Sequence, residues 1–211
     1  MGRYLWRPVS KIKMCGVMNE QQVFKEFRAA GALLSGHFVL SSGLHSDTYL
    51  QCARALMDAR RAARLCKALA AKVRQEIDKE IDFVVAPAMG GVIVGYEMGR
   101  HLKVPGMFLE RVEGEFTLRR GFEIPTGARC LMVEDIVTTG LSSREAIAAI
   151  RVYGGRVVGG ACLIDRSGGK AKIGVKLVSL ARLSIPAYEA DALPPALAAT
   201  PAVKPGSRGL K

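Results

Sequence analysis

Residues 131–145 read LMVEDIVTTGLSSRE: an apolar run closed by two adjacent carboxylates, Glu134 and Asp135, then Thr138, Thr139, Gly140 and Ser142 within seven positions. Leu131–Val133 read as a buried strand, and Ser142 with Glu145 reads as an S-x-x-E capping box that opens a helix. Between them, Val137, Thr138, Thr139, Gly140 and Leu141 form a strand-to-helix turn. Its backbone N–H groups lie at the positive end of the helix, where an anion such as a phosphate is favoured. The hydroxyls of Thr138, Thr139 and Ser142 add donors. Like charge keeps the acid pair off that phosphate, so it must face other donors, and the vicinal hydroxyls of a ribose match two carboxylates. A sugar phosphate satisfies both halves. A capped turn with solvated acids would serve the fold alone.

Other nucleotide chemistry lacks its motif: the chain holds neither GxxxxGK[ST] nor a true GxGxxG. His37, His45 and His101 have no spacing that builds a zinc site, so no protein-held metal is expected. The cysteines, Cys15, Cys52, Cys66, Cys130 and Cys162, are odd in number and form no CxxC pair, the usage of a reducing compartment. With no secretory pattern and no apolar run of about 20 residues, a cytoplasmic protein without a membrane span is expected. The net charge of +12 invites nucleic acid, but seven of those charges lie in residues 1–17 and 192–211, leaving +5 for the body. Aromatics are only 6% of the chain, too few for a base-stacking surface, so no nucleic-acid partner is expected.

The elements that must position these groups alternate. A helix capped by Asn19 is predicted over residues 20–34, two short strands with a turn at Gly43 over 36–52, and a helix capped by Asp58 over 58–77. Apolar strands follow at 81–87, 106–111, 128–135, 156–166 and 176–183, with helical patterns at 91–102 and 143–153. Continuous rather than alternating apolar strands between helices imply an α/β fold, a parallel sheet core with helices on both faces. Ligands in such sheets bind at the carboxyl ends of the strands. The Pro- and Ala-rich end, residues 190–211, reads as an unstructured tail, and residues 1–18 as a basic, flexible, dispensable extension.

VEDIVTTGLSS resembles the phosphoribosyl-pyrophosphate (PRPP) motif of the type I phosphoribosyltransferases. HFVLSSGLHSDTYL, VAPAMGGV and LIDRSGG resemble the hood, the pyrophosphate loop and the base-reading segment of the orotate phosphoribosyltransferase family. The resemblance implies one domain over 19–189, with a small N-terminal hood (19–56) and a lid loop (111–127). It implies transfer of phosphoribosyl from PRPP to orotate in pyrimidine synthesis, with Mg²⁺ held mainly by substrate oxygens. Alternatives within the same fold are a transferase for another base and a PRPP-sensing regulator.

Carried over by resemblance, Glu134 and Asp135 hold the ribose hydroxyls, residues 137–142 cradle the 5′-phosphate with Ile136 also at the PRPP site, and Arg111, Gly90 and Gly91 lie at the pyrophosphate. Arg166, Thr138, Tyr49 and Leu50 contact the orotate. Asp135, Arg119 and Arg120 are the catalytic candidates. The family is dimeric, so a homodimer with each lid reaching the neighbouring site is expected. This chain departs from the common pattern at Ser41 and Gly90, where many members have lysine, and in a lid with arginines in place of lysines and histidine.

Overall fold

A computed structural model describes residues 18–40 and 42–205. The basic extension through residue 17, Ser41 in the hood, and residues 206–211 lie outside the described residues. Asn19 caps α1 (Glu20–Ala29) in a reciprocal pair with Gln22, each side chain bonded to the other's backbone N–H at 2.9 Å. The predicted helix extended to residue 34. It stops at Ala29 because Gly31 turns the chain with φ +59°, and the next residues enter β1 (Leu33–Val39). The chain then returns antiparallel as β2 (His45–Leu50).

A short helix, α2 (Cys52–Leu56), leads to α3 (Ala59–Glu76), capped by Asp58, whose carboxylate accepts from the Arg61 N–H at 3.0 Å. There follow β3 (Phe83–Pro87), α4 (Gly91–Leu102), β4 (Gly106–Val112), β5 (Glu115–Leu118), β6 (Arg129–Val137), α5 (Leu141–Val152), β7 (Arg156–Asp165) and β8 (Leu177–Arg182). The order across the main sheet is β5-β4-β3-β6-β7-β8, all parallel except the edge strand β5. Alternation along β6 divides the interior in two. Leu131 and Val133 pack with Leu65, Leu69, Val94 and Met98 beneath α3 and α4. Cys130 and Met132 face the other way, onto Ile147 and Ile150 of α5. Each such aliphatic side chain contributes roughly 1.5–3 kcal/mol by leaving water. Among the described residues no helix is long and apolar enough to cross a membrane.

Two expectations change. Part of the segment read as a lid loop, 111–127, is built into the sheet: residues 111–112 end β4 and 115–118 form β5, while 119–127 stay outside the strands. Glu113 (φ +52°) and Gly114 (φ +91°) make a two-residue turn that folds β5 back along β4. Positive φ at both central positions gives a turn twist that matches paired strands. Beyond it, Phe122 packs edge-on against Phe108 and Ile124 is buried.

The segment read as an unstructured tail also carries structure up to residue 205. Pro195 starts a helical turn, α6 (Pro195–Ala198), and β9 (Ala202–Val203) adds to the hood as a third strand, parallel to β1. The physical reason is a buried histidine. The Thr200 carbonyl can only accept, so His37 Nδ1 donates to it at 2.7 Å, while His37 Nε2 meets His45 Nδ1 at 2.6 Å. Composition alone could not show that a distant imidazole satisfies this backbone.

Candidate active site

The parallel strands bring the PRPP-like turn and the base-reading segment side by side. Val137 at the end of β6 is level with Asp165 at the end of β7, and the Arg166 N–H donates to the Val137 carbonyl at 2.8 Å. Arg166 therefore begins where the phosphate turn begins. Burial holds its guanidinium below the usual arginine value. The buried Asp165 carboxylate accepts from both the N–H (2.9 Å) and hydroxyl (2.6 Å) of Ser167, which fixes the turn after Arg166.

Within the turn, Thr138, Thr139, Leu141 and Ser142 are exposed and Gly140 is buried. Gly140 takes φ +75° as the residue before α5, so the helix opens at Leu141. The capping box expected at Ser142 and Glu145 is not used. The chain has turned into the helix before Ser142, and Glu145 pairs with Arg111 instead.

The two acids leave β6 on opposite faces, as neighbours on a strand must. Glu134 is 7% exposed and accepts a hydrogen bond from the buried Ser143 hydroxyl. Burial, offset in part by that bond and reinforced by the Asp135 charge, pushes its carboxyl up to about 7. Asp135 turns toward the β3–α4 connection and accepts from the Ile136 N–H at 2.9 Å. Burial also raises its pKa. Gly90 makes room for this carboxylate: a Cβ there would lie 2.7 Å from Asp135 Oδ1. Gly91 is buried at the start of the helix. The sequence suggests two equivalent acids facing one diol. The structure gives one that is engaged inside and one beside the pyrophosphate-like loop.

The remaining candidates separate further. Tyr49 stands beside Phe38 on the hood, with ring centroids 5.7 Å apart, whereas the Leu50 side chain belongs to the core. Arg111 lies over the Phe116 ring at 4.0 Å and pairs with Glu145 in the second turn of α5. Arg120 donates to Glu110 at 2.7 Å, and Arg119 approaches the same carboxylate at 3.9 Å. β5, which delivers both, is three strand spacings from β6, roughly 14 Å. The structure does not bring these arginines to the acid pair of their own chain.

The model of the phosphoribosyl transferase domain matches residues 53–180. The orotate phosphoribosyltransferase of Parvibaculum lavamentivorans is 63% identical over 191 residues, covering 90% of this chain and 98% of that one. That of Sphingopyxis alaskensis is 59% identical over 194 residues, covering 92% and 99%. The chain belongs to the orotate phosphoribosyltransferase family. The crystal structure of the Aeropyrum pernix orotate phosphoribosyltransferase superposes with a TM-score of 0.65 at 29% identity, covering 75% of this chain and 92% of that one.

Three side chains in this orotate phosphoribosyltransferase fold escaped the sequence reading. Ser143, Glu110 and Arg144 touch Glu134, the lid arginines and the phosphate turn respectively. Only Arg144 had a local signal, since a residue four positions after Gly140 faces back over the helix start. The described cysteines behave as core: burial pushes the Cys66 thiol up to about 12 and Cys130 to about 11.

Proposed function

We propose that this chain transfers the phosphoribosyl group of PRPP to orotate, giving orotidine 5′-monophosphate and pyrophosphate in pyrimidine synthesis. The observation that carries this is the junction at Val137, where the backbone of the partly desolvated Arg166 bonds to the start of a phosphate-type turn two residues after the half-buried Asp135, at the carboxyl ends of adjacent strands. The 5′-phosphate would sit on the N–H groups of residues 137–142 and the hydroxyls of Thr138, Thr139 and Ser142. Asp135 would accept from the ribose hydroxyls, with Glu134 behind it. Arg166 would read the anionic pyrimidine beside Thr138 and Tyr49, with the Leu50 backbone alongside. Gly90, Gly91 and Arg111 would border the pyrophosphate.

Rupture of the bond between C1′ and pyrophosphate develops positive charge on the sugar and negative charge on the leaving group. The residues named here supply position and charge neutralisation rather than a covalent intermediate. Mg²⁺ bound by pyrophosphate oxygens and water would supply further neutralisation. Such an ion would be carried in by the substrate rather than held by a ligand set of the protein.

A cytoplasmic homodimer accords with this reading. Ile93 and Tyr96 on α4, with Met89 just before it, are exposed apolar side chains beside the pyrophosphate loop and suit a second copy. Arg119 and Arg120 would then act on the neighbouring site. The test is loss of orotate absorbance on adding PRPP and Mg²⁺, run against uracil, hypoxanthine and adenine. Turnover of another base in preference to orotate would overturn the assignment.

A further inference from the structure

The phosphate turn and the segment after Arg166 meet a second time, beyond the Val137 contact. Gly140 packs so closely on residues 171–173 that a Cβ there would lie 2.9 Å from Ile173 Cγ2 and 3.6 Å from Ala171 Cβ. Arg144, one turn into α5, spans this seam. A single guanidinium nitrogen, Nη1, donates to the Thr139 carbonyl and to the Lys172 carbonyl, both at 3.1 Å. One carbonyl belongs to the phosphate turn and the other to the loop that follows the base-reading arginine.

This geometry has a directional consequence. With the Thr139 carbonyl drawn to Arg144, a negative end of the turn is held away from an incoming anion, while the N–H groups that follow are left to face it. Charge-assisted bonds to a guanidinium are stronger than neutral ones, and here one group makes two of them to two loops. Filling the turn with a phosphate fixes Thr139. Through Arg144 and the Gly140 contact, that also fixes Lys172 and the loop leading back to Arg166.

We propose that Arg144 is a positioning residue that couples the phosphate turn to the base loop, so that occupation of the sugar-phosphate site tightens orotate binding. The proposal rests on the reading of residues 137–142 as the phosphate site and Arg166 as the base contact. Coupling through Arg144 must be reciprocal: orotate tightens the sugar phosphate by the same factor.

The test uses ribose 5-phosphate, which fills the phosphate turn and carries no leaving group. Orotate affinity is measured by calorimetry on the full chain with and without saturating ribose 5-phosphate. The native protein is expected to bind orotate at least fivefold more tightly in its presence. In R144M, which keeps the aliphatic stem and loses the donors, the ratio is expected to fall to within twofold of one, with the melting temperature nearly unchanged. R144Q has an amide that can reach one carbonyl but not bridge two, and is expected to lose the ratio as well if R144M does not fold. A native ratio near one, or a ratio retained by either variant, overturns the coupling while leaving the two binding sites standing. Failure of ribose 5-phosphate to bind the native protein overturns the phosphate-site reading and the coupling together.

Discussion

The Arg120 guanidinium and the Glu110 carboxylate form an ion pair at 2.7 Å across the β4–β5 hairpin. The same carboxylate is approached by Arg119, so both lid arginines are gathered on the sheet edge by one acid. If they neutralise pyrophosphate on a neighbouring chain, Arg119→Ala and Arg120→Ala lower turnover about tenfold or more and change PRPP binding by only a few fold. Mixing an Asp135→Asn protein with either arginine variant then restores part of the activity. No recovery after demonstrated subunit exchange rules out action across a dimer.

Glu134 makes the stability of the fold depend on pH. Its folded carboxyl titrates near 7 against an ordinary value of 4.5. Between these values the folded chain holds a proton that the unfolded chain has released. Stability therefore falls as pH rises through that window, by on the order of 3 kcal/mol in full. Glu134→Gln is expected to melt higher relative to the native protein at pH 8 than at pH 4.5. A constant offset between the two at both pH values contradicts the buried, proton-retaining carboxyl.

Asp135→Asn keeps the side-chain shape beside Gly90 but replaces one acceptor with a donor. Catalytic efficiency is expected to drop at least tenfold. Because burial disfavours the charged form, the melting temperature at neutral pH should hold or rise. A large fall in melting temperature with normal efficiency would mean that this acid is structural.

Arg166→Ala removes a charge-assisted contact to an anionic base and should raise the Michaelis constant for orotate much more than that for PRPP. Steady-state kinetics with each substrate varied in turn measures this. Equal effects on both would remove the residue from the pyrimidine.

His37→Ala leaves the Thr200 carbonyl and the His45 ring without their shared partner inside the hood. A loss of about 1–3 kcal/mol is expected in urea unfolding. Removing residues 190–211 should lower stability as well, because β9 is lost from β1. An unchanged unfolding midpoint in both variants would show that the C-terminal segment does not brace the hood.

Local sequence determined the parts of this protein that depend on short-range chemistry. Asn19 and Asp58 each carry an oxygen that can reach an N–H three residues on, so both caps were legible. The apolar runs marked the strands of a parallel sheet because a strand covered on both faces needs no polar alternation. The order of carboxylates, hydroxyls and glycine running from the end of β6 into α5 pointed to a sugar-phosphate site and, through resemblance, to its family. Tertiary structure decided whatever depends on a partner far away in the chain. Glu134 and Asp135 are adjacent letters, yet the pleat sends them to different faces, one to Ser143 and one to the space Gly90 leaves. The Pro- and Ala-rich segment has no pattern of its own, and within its described residues Thr200 is held by His37, 163 residues before it. Arg144 bridges two loops only because β6 and β7 lie side by side. Caps and strands are settled over a few bonds, whereas contacts between turns are settled by which strands become neighbours.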